Sequence, residues 1–218
     1  MRPNPSPPLE PGLRRRLAQL GEEGWELWAT FDRDVRRHRW HSFVPADYAR
    51  ILDALLPFRS PGRPFLEWGS ATGVITIMAD LLGFDACGIE LDPDLVERAV
   101  SLAGRYGSGA RFVAGSFLPA GYEYRARDGD ARLGTVGEGP SGYLKLGRSL
   151  DDFDVVYGYP WSGEEALMHD LMRRYGRADA LLLLHRVSGD VEVFRGGRRV
   201  GDDSGPRRPD EGAPRLLR

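Results

Sequence analysis

The residues that could do chemistry in this chain are concentrated in two short stretches between positions 65 and 90. In the first stretch, Glu67 is followed by Gly69 and Gly73, which lack the Cβ atoms that would block a ligand lying across the turn. In the second stretch, Glu90 stands where a carboxylate can accept hydrogen bonds from both hydroxyls of a ribose. The two stretches therefore predict half of a nucleoside-binding site, with adenosine compounds as the expected ligands.

Both stretches lie in an alternation of strands and helices. The predicted elements of this unit are, in chain order, strand 64–68, helix 73–82, strand 84–90, helix 93–103 and strand 110–115. Such a βαβαβ unit folds as parallel strands joined by right-handed crossovers. The alternation resumes with strands at 153–157 and 180–185 and a helix between them, and a short final strand is predicted at 191–194. The pattern predicts a three-layer α/β fold, with a mostly parallel sheet and helices on both faces.

Composition predicts one folded domain with polar ends in this chain of 218 residues. Residues 1–12 are rich in proline, and residues 200–218 combine Gly, Pro, Asp and Arg, so both ends are expected to be disordered. Residues 13–58 are predicted to form a helical N-terminal extension, and residues 59–199 the sheet domain. Within that domain, residues 118–151 are too long and glycine-rich for a simple connection, and we expect an insertion or flap.

Charge and cysteine content limit the partners and the compartment. A formal net charge of -2 supplies no general attraction to the phosphate backbone of long nucleic acids. The single Cys87 excludes an internal disulfide and a multi-cysteine metal site, and the four histidines are scattered, so no metal is expected. No apolar run reaches 18 residues and the first residues lack a signal-peptide core, which favours a cytoplasmic protein without a membrane anchor.

The spacing of the glycines distinguishes this turn from the fingerprint of dinucleotide-binding enzymes. The second glycine of Gly-x-Gly-x-x-Gly makes room for a pyrophosphate, and Ala71 occupies that position here. The acid Glu67 precedes Gly69 by two residues, which suits a ligand with a positive centre, such as a sulfonium. These features disfavour a nucleotide-dependent oxidoreductase. A hydrolase is also disfavoured because no Gly-x-Ser-x-Gly occurs.

With these residues, the chain resembles class I S-adenosylmethionine-dependent methyltransferases, whose first motif often reads acid-x-Gly-x-x-x-Gly. Glu67, Gly69 and Gly73 match that form. The resemblance implies a Rossmann-like fold, S-adenosylmethionine as the methyl donor and S-adenosylhomocysteine as the product. Glu90 and Leu91 match the end of the family's second strand, where an acid holds the ribose and the next residue packs on the adenine. Glu67 is then expected near the methionine end of the cofactor.

The same resemblance supplies further candidate contacts. Ser116 stands where the family's third strand ends in Gly-Asp, so a hydroxyl replaces the acid that meets the adenine amino group, and Phe117 is expected beside the adenine. Val44 and Tyr48 lie in and after a loop of the kind that covers the methionine end in the family. The full set of predicted cofactor contacts is Glu67, Gly69, Ser70, Ala71, Thr72, Gly73, Glu90, Leu91, Ser116, Phe117, Tyr157, Val44 and Tyr48.

The acceptor end of the site is less defined. Residues 158–161, Gly-Tyr-Pro-Trp, only partly resemble the Asn/Asp-Pro-Pro-aromatic signature of methyltransferases that act on amino groups. Gly158 or Tyr159 stands where that signature places the carboxylate or amide that accepts from the target amine. Tyr157, Tyr159 and His185 are therefore the candidate catalytic residues.

The predicted function is methyl transfer from S-adenosylmethionine to an unidentified acceptor, with a small molecule or a protein favoured over nucleic acid. One alternative is a protein of the same fold that binds S-adenosylmethionine or S-adenosylhomocysteine without catalysis, since the polar acceptor is missing near Gly158. A further alternative is a methyltransferase acting on the amino group of a base or on an amide nitrogen, because Pro160 and Trp161 keep part of the corresponding signature.

Overall fold

A seven-stranded sheet forms the centre of the protein in a computed structural model that describes residues 8–38, 41–124, 139–161 and 163–201. The strands are β1 (Pro64–Trp68), β2 (Asp85–Glu90), β3 (Arg111–Ala114), β4 (Val155–Gly158), β5 (Leu181–His185), β6 (Val191–Arg195) and β7 (Arg198–Arg199). Their order in the sheet is β3-β2-β1-β4-β5-β6-β7, and the first five strands in this order are parallel. Strands β6 and β7 add an antiparallel edge.

Strand β1 is the point at which the strand order reverses, because β2 and β3 lie on one side of it and β4 and β5 on the other. In open parallel sheets, ligands bind outside the carboxyl ends of the strands at such a switch point. The register places Glu67 of β1 beside Gly88 of β2 and beside Tyr157 of β4. The predicted site residues on these strands are thus brought to one edge of the sheet.

Helices cover both faces of the sheet. They are α1 (Pro11–Phe31), α2 (Tyr48–Leu55), α3 (Val74–Leu81), α4 (Pro93–Arg105), α5 (Gly142–Leu146) and α6 (Glu165–Tyr175). Buried side chains of α1, α2, α3 and α4 pack with Phe65 on one face, and those of α5 and α6 pack with Leu66 on the other. Adjacent residues of β1 are therefore both buried, as expected for a parallel strand between two helical layers. The predicted three-layer α/β fold class is confirmed.

The predicted division of the chain stays a prediction, because much of it falls outside the described residues, at 1–7, 125–138 and 202–218. Helix α1 begins at Pro11 and continues into a π-helical turn at Asp32–Arg36. Between residues 139 and 151, the segment predicted as a flap contains α5. Within the described ranges, no helix has the length and apolar character needed to cross a membrane.

Candidate nucleoside-binding site

The turn from β1 into α3 has three residues with positive φ: Gly69 at 70°, Ala71 at 45° and Gly73 at 79°. A Cβ atom at Gly73 would lie 2.7 Å from the ring of Phe112 and 2.8 Å from Cβ of Ala99. Contacts this short are not tolerated, and the left-handed conformation adds its own penalty for a side chain. Gly73 is therefore required by the close approach of α4 and β3 to the start of α3, while Ala71 holds a conformation that few residues with a Cβ adopt.

Glu67 is on β1, and its side chain lies beneath this turn, beside the start of α3. Only 3% of the residue is exposed. Its Oε2 accepts hydrogen bonds from the backbone nitrogen of Thr76, at 2.9 Å, and from the hydroxyl of the same residue. Burial raises the pKa of Glu67 to about 8, against the lowering effect of these two hydrogen bonds. At neutral pH the carboxyl is thus largely protonated when no cation is beside it, and a nearby cation would favour its ionised form.

Glu90, at the end of β2, is the second carboxyl of the site. Its Oε2 accepts from the backbone nitrogen of Ala71 at 2.8 Å, and its Oε1 accepts from that of Asp92 at 3.0 Å. Burial raises the pKa of Glu90, although these backbone hydrogen bonds oppose the change. Each carboxylate oxygen can accept a second hydrogen bond, so Glu90 can fix the glycine turn and still receive two hydroxyl groups.

A cavity opens between these two carboxyls at the carboxyl edge of β1, β2 and β4. All of the predicted cofactor contacts line it except Gly73 and Ser116. Gly115 lines the cavity in place of Ser116, whose hydroxyl oxygen instead accepts from the backbone nitrogen of Leu118 at 3.2 Å. Phe117 lines the cavity and stacks on Trp68 with ring centroids 5.4 Å apart. The structure thus brings most of the predicted set together, and their roles remain predictions.

The loop before α2 forms one wall of the cavity and includes residues that were not predicted, namely His41 and Ser42. The imidazole Nε2 of His41 lies 3.2 Å from Oδ2 of Asp92, which ties the loop to the end of β2. The indole nitrogen of Trp161 donates to the carbonyl oxygen of Ser42 at 3.2 Å, which ties the loop to the residues after β4. Both residues belong to the loop that the family resemblance placed over the methionine end, although neither was singled out there.

The predicted catalytic residues lie at the β4 and β5 side of the cavity. Tyr157 and Tyr159 line the cavity, whereas His185 does not. The hydroxyl oxygen of Tyr157 is 3.0 Å from Nδ1 of His185, and the ring of Tyr159 stacks on the imidazole with centroids 4.3 Å apart. The structure therefore places the tyrosines at the cavity and the histidine behind them.

The sheet order, the glycine turn from β1 to α3 and the carboxyl at the end of β2 define a Rossmann-like fold of the class I methyltransferase type. Sequence comparison agrees with this class. A ribosomal protein L11 methyltransferase from Thermus thermophilus is 38% identical over 130 residues, which cover 47% of this chain and 50% of that protein. The resemblance deduced from the motifs is thereby confirmed, although the chain spans only about half the length of this curated relative. No protein-family model matches the chain.

Two solved structures are also similar. An RNA methyltransferase from Salinibacter ruber, in complex with S-adenosylhomocysteine, is 20% identical, with a TM-score of 0.45 and coverage of 65% of this chain and 76% of that one. A methyltransferase from Thiobacillus denitrificans, also in complex with S-adenosylhomocysteine, is 20% identical, with a TM-score of 0.44 and coverage of 72% of this chain and 54% of that one.

Proposed function

We propose that this protein transfers a methyl group from S-adenosylmethionine to an acceptor that carries a nucleophilic atom. The observation that carries the proposal is the pair of carboxyls, Glu67 and Glu90, which lie at the carboxyl ends of two neighbouring parallel strands and line one cavity. Glu90 has acceptor capacity for a ribose, and Glu67 is a buried carboxyl with little exposed surface, which a cationic ligand would stabilise as the carboxylate.

The residues present fit such a cofactor along the whole cavity. Glu90 would hold the ribose hydroxyls. Leu91 would pack on the adenine, and Phe117 would lie beside it. Glu67 and Tyr48 would lie near the methionine end, where the aromatic ring also favours a positive charge. When bound, the cofactor would supply a methyl group activated by a sulfonium leaving group.

The protein's own contribution is mainly to position the cofactor and the acceptor and to enclose them. The glycine turn would let the cofactor lie close to the start of α3, and the loop containing Ser42 closes one side of the cavity. Trp161 hydrogen-bonds this loop to the residues after β4. The side of the cavity expected to hold the cofactor is therefore joined to the side expected to receive the acceptor. Holding two reactants in line supplies a large part of the acceleration available to such a transfer.

A protein acceptor is supported by the name of the similar Thermus thermophilus enzyme, a ribosomal protein L11 methyltransferase. A small-molecule acceptor fits the same cavity, which is lined mainly by apolar and aromatic side chains near Tyr157. The assay for the acceptor should therefore use protein, small-molecule and RNA fractions of a cell extract, with the methyl-labelled cofactor.

Calorimetric titration with S-adenosylhomocysteine and with NAD tests the cofactor assignment. We expect S-adenosylhomocysteine to bind more tightly, and Glu90→Ala to weaken this binding by roughly 10-fold or more, because hydrogen bonds to a charged group are worth about 1.5 to 3 kcal/mol. Glu97→Ala is the matched control, since Glu97 is an exposed carboxylate on α4. Tighter binding of NAD, or equal binding by wild type and Glu90→Ala, would overturn the assignment.

A second candidate is a protein that binds the cofactor without transferring its methyl group. It is favoured by one observation, that no carboxylate or amide stands at Gly158 or Tyr159, where amino-group methyltransferases place one. Tight binding of S-adenosylhomocysteine with no label transferred to any fraction would support this candidate. Label in one fraction would support the enzyme.

A further inference from the structure

Tyr157 and His185 lie on the same face of the sheet at its carboxyl edge. In the register, Glu67 pairs with Tyr157, and Tyr157 pairs with Leu183, two residues before His185. Because side chains alternate along a strand, residues 183 and 185 project to the same face. The side chains of Glu67, Tyr157 and His185 therefore follow one another across β1, β4 and β5.

The hydrogen bond between Tyr157 and His185 is buried, and a neighbouring ring holds the imidazole in place. The Tyr157 hydroxyl lies 3.0 Å from Nδ1 of His185, and both residues are almost fully buried, at 1% and 2% exposed. Tyr159 stacks on the imidazole and fixes the plane of the ring. Since Tyr157 lines the cavity and His185 does not, the phenol stands between the cavity and the imidazole.

Both partners of this hydrogen bond are neutral at pH 7. Burial lowers the pKa of His185, so its imidazole is neutral at pH 7. The charged groups that act on it are Asp47 and Asp190, which raise its pKa, and Arg50, which lowers it. Burial and then Glu67 raise the pKa of Tyr157, which therefore stays a phenol. With both groups neutral, the Tyr157 hydroxyl can donate to Nδ1 while the imidazole carries its proton on Nε2, and this is the tautomer that a relay from Tyr157 to His185 requires.

We propose that Tyr157 and His185 form a proton relay that deprotonates the methyl acceptor, which enters as a neutral group with an O–H or N–H bond. This inference rests on the proposed methyl transfer. As the acceptor atom forms its bond to the methyl carbon and the bond from that carbon to sulfur breaks, the acceptor proton moves to the Tyr157 oxygen. The Tyr157 proton moves to Nδ1 of His185. The site loses the sulfonium charge and gains an imidazolium charge, so its net charge is unchanged.

The relay is tested by measuring transfer of labelled methyl groups to cell-extract fractions, together with binding of S-adenosylhomocysteine. The variants are Tyr157→Phe and His185→Gln, and Tyr175→Phe on α6 is the control that also removes one phenol hydroxyl. We expect both relay variants to lower the transfer rate at saturating cofactor by roughly 100-fold or more, the usual size for general acid–base catalysis. Their affinity for S-adenosylhomocysteine should stay within about threefold of wild type. Tyr175→Phe should behave as wild type in both measurements.

The pH profile separates a relay from a merely structural contact. In wild type the transfer rate should rise with pH as His185 loses its proton, and His185→Gln should lack this inflection. Transfer at the wild-type rate by either variant, or a parallel loss of transfer and cofactor binding, would overturn the relay alone. Absence of transfer by the wild-type protein would overturn both the relay and the proposed function.

Histidine labelled with ¹⁵N gives a readout that needs no acceptor. We expect the His185 nitrogens to show the tautomer with a proton on Nε2, and the Nδ1 signal to shift in Tyr157→Phe. A proton on Nδ1 of the neutral His185 imidazole would overturn the relay, because Nδ1 could not then accept a hydrogen bond from the phenol.

Discussion

The buried carboxyl of Glu67 makes the stability of the protein depend on pH in an unusual direction. An unfolded glutamic acid titrates near 4.5, whereas burial raises the pKa of Glu67 to about 8 in the folded protein. The folded state therefore binds the proton more tightly than the unfolded state. The resulting stabilisation is fully present below about pH 4.5 and is lost as the pH rises through about 8.

The size of the effect follows from the shift. Between the two pKa values, stability falls by about 1.4 kcal/mol for each unit of pH, so a change from about pH 5.5 to about pH 7.5 should cost about 2 to 3 kcal/mol. In Glu67→Gln, the amide keeps the shape of the carboxyl but does not titrate. This contribution to the slope should therefore be absent.

Urea unfolding of wild type and Glu67→Gln at three pH values in this window measures the difference in slope. His185, with a lowered pKa, contributes with the opposite sign, and Glu90, with a raised pKa, contributes with the same sign. Both are present in each protein, so the difference in slope measures Glu67 together with its interaction with Glu90, whose charge also raises the pKa of Glu67. Glu97→Gln, on the exposed side of α4, should keep the wild-type slope. Equal slopes for wild type and Glu67→Gln would refute the argument that Glu67 is buried as a neutral acid.

Two other substitutions test the turn and the loop that enclose the cavity. Gly73→Ala should destabilise the protein by about 2 kcal/mol or more, because the new Cβ would meet Phe112 at 2.7 Å in a left-handed conformation, and thermal unfolding would show a lowered Tm. A wild-type Tm in this variant would contradict the packing at the start of α3. Trp161→Phe removes the donor to the carbonyl oxygen of Ser42 and should weaken S-adenosylhomocysteine binding by roughly 2- to 10-fold, mainly through faster dissociation measured by stopped flow. Unchanged dissociation would show that this hydrogen bond does not hold the loop over the cofactor.

Local patterns were sufficient for strands β1 to β6 and for the helix between β2 and β3, whereas β7 was not predicted. The expected strand at 64–68 matches β1, and the expected strand at 84–90 differs from β2 by one residue at its start. The predicted helix at 93–103 follows Asp92 and begins at Pro93, a pair typical of a helix start, and Asp92 caps α4 by accepting from the backbone nitrogen of Asp94 at 2.8 Å. These features depend on residues close together in the chain, so the sequence contains their cause.

The start of α2 shows where a local rule was insufficient. Proline is common in the first turn of a helix, so Pro45 alone would favour a helix start at that residue. The helix instead begins at Tyr48 and is capped by Asp47, whose side chain accepts from the backbone nitrogen of Arg50 at 3.2 Å. Residues before Asp47 instead extend along the cavity, where His41 meets Asp92. Two signals, a proline and a capping aspartate, compete within three residues, and contacts distant in sequence decide between them.

The sheet, the glycine turn and the two carboxyls could be predicted from the residues alone, because each depends on spacing within one βαβ unit. Two facts about the site required the folded chain: Gly115 rather than Ser116 faces the cavity, and His185 lies behind Tyr157 instead of at the surface of the site. The first fact depends on the segment after β3, where Ser116 pairs with Ser141, and the second depends on how β4 and β5 pair. Both contacts join residues far apart in the chain. A periodic pattern indicates which face of an element is buried, whereas the identity of its distant neighbour is set by packing in three dimensions.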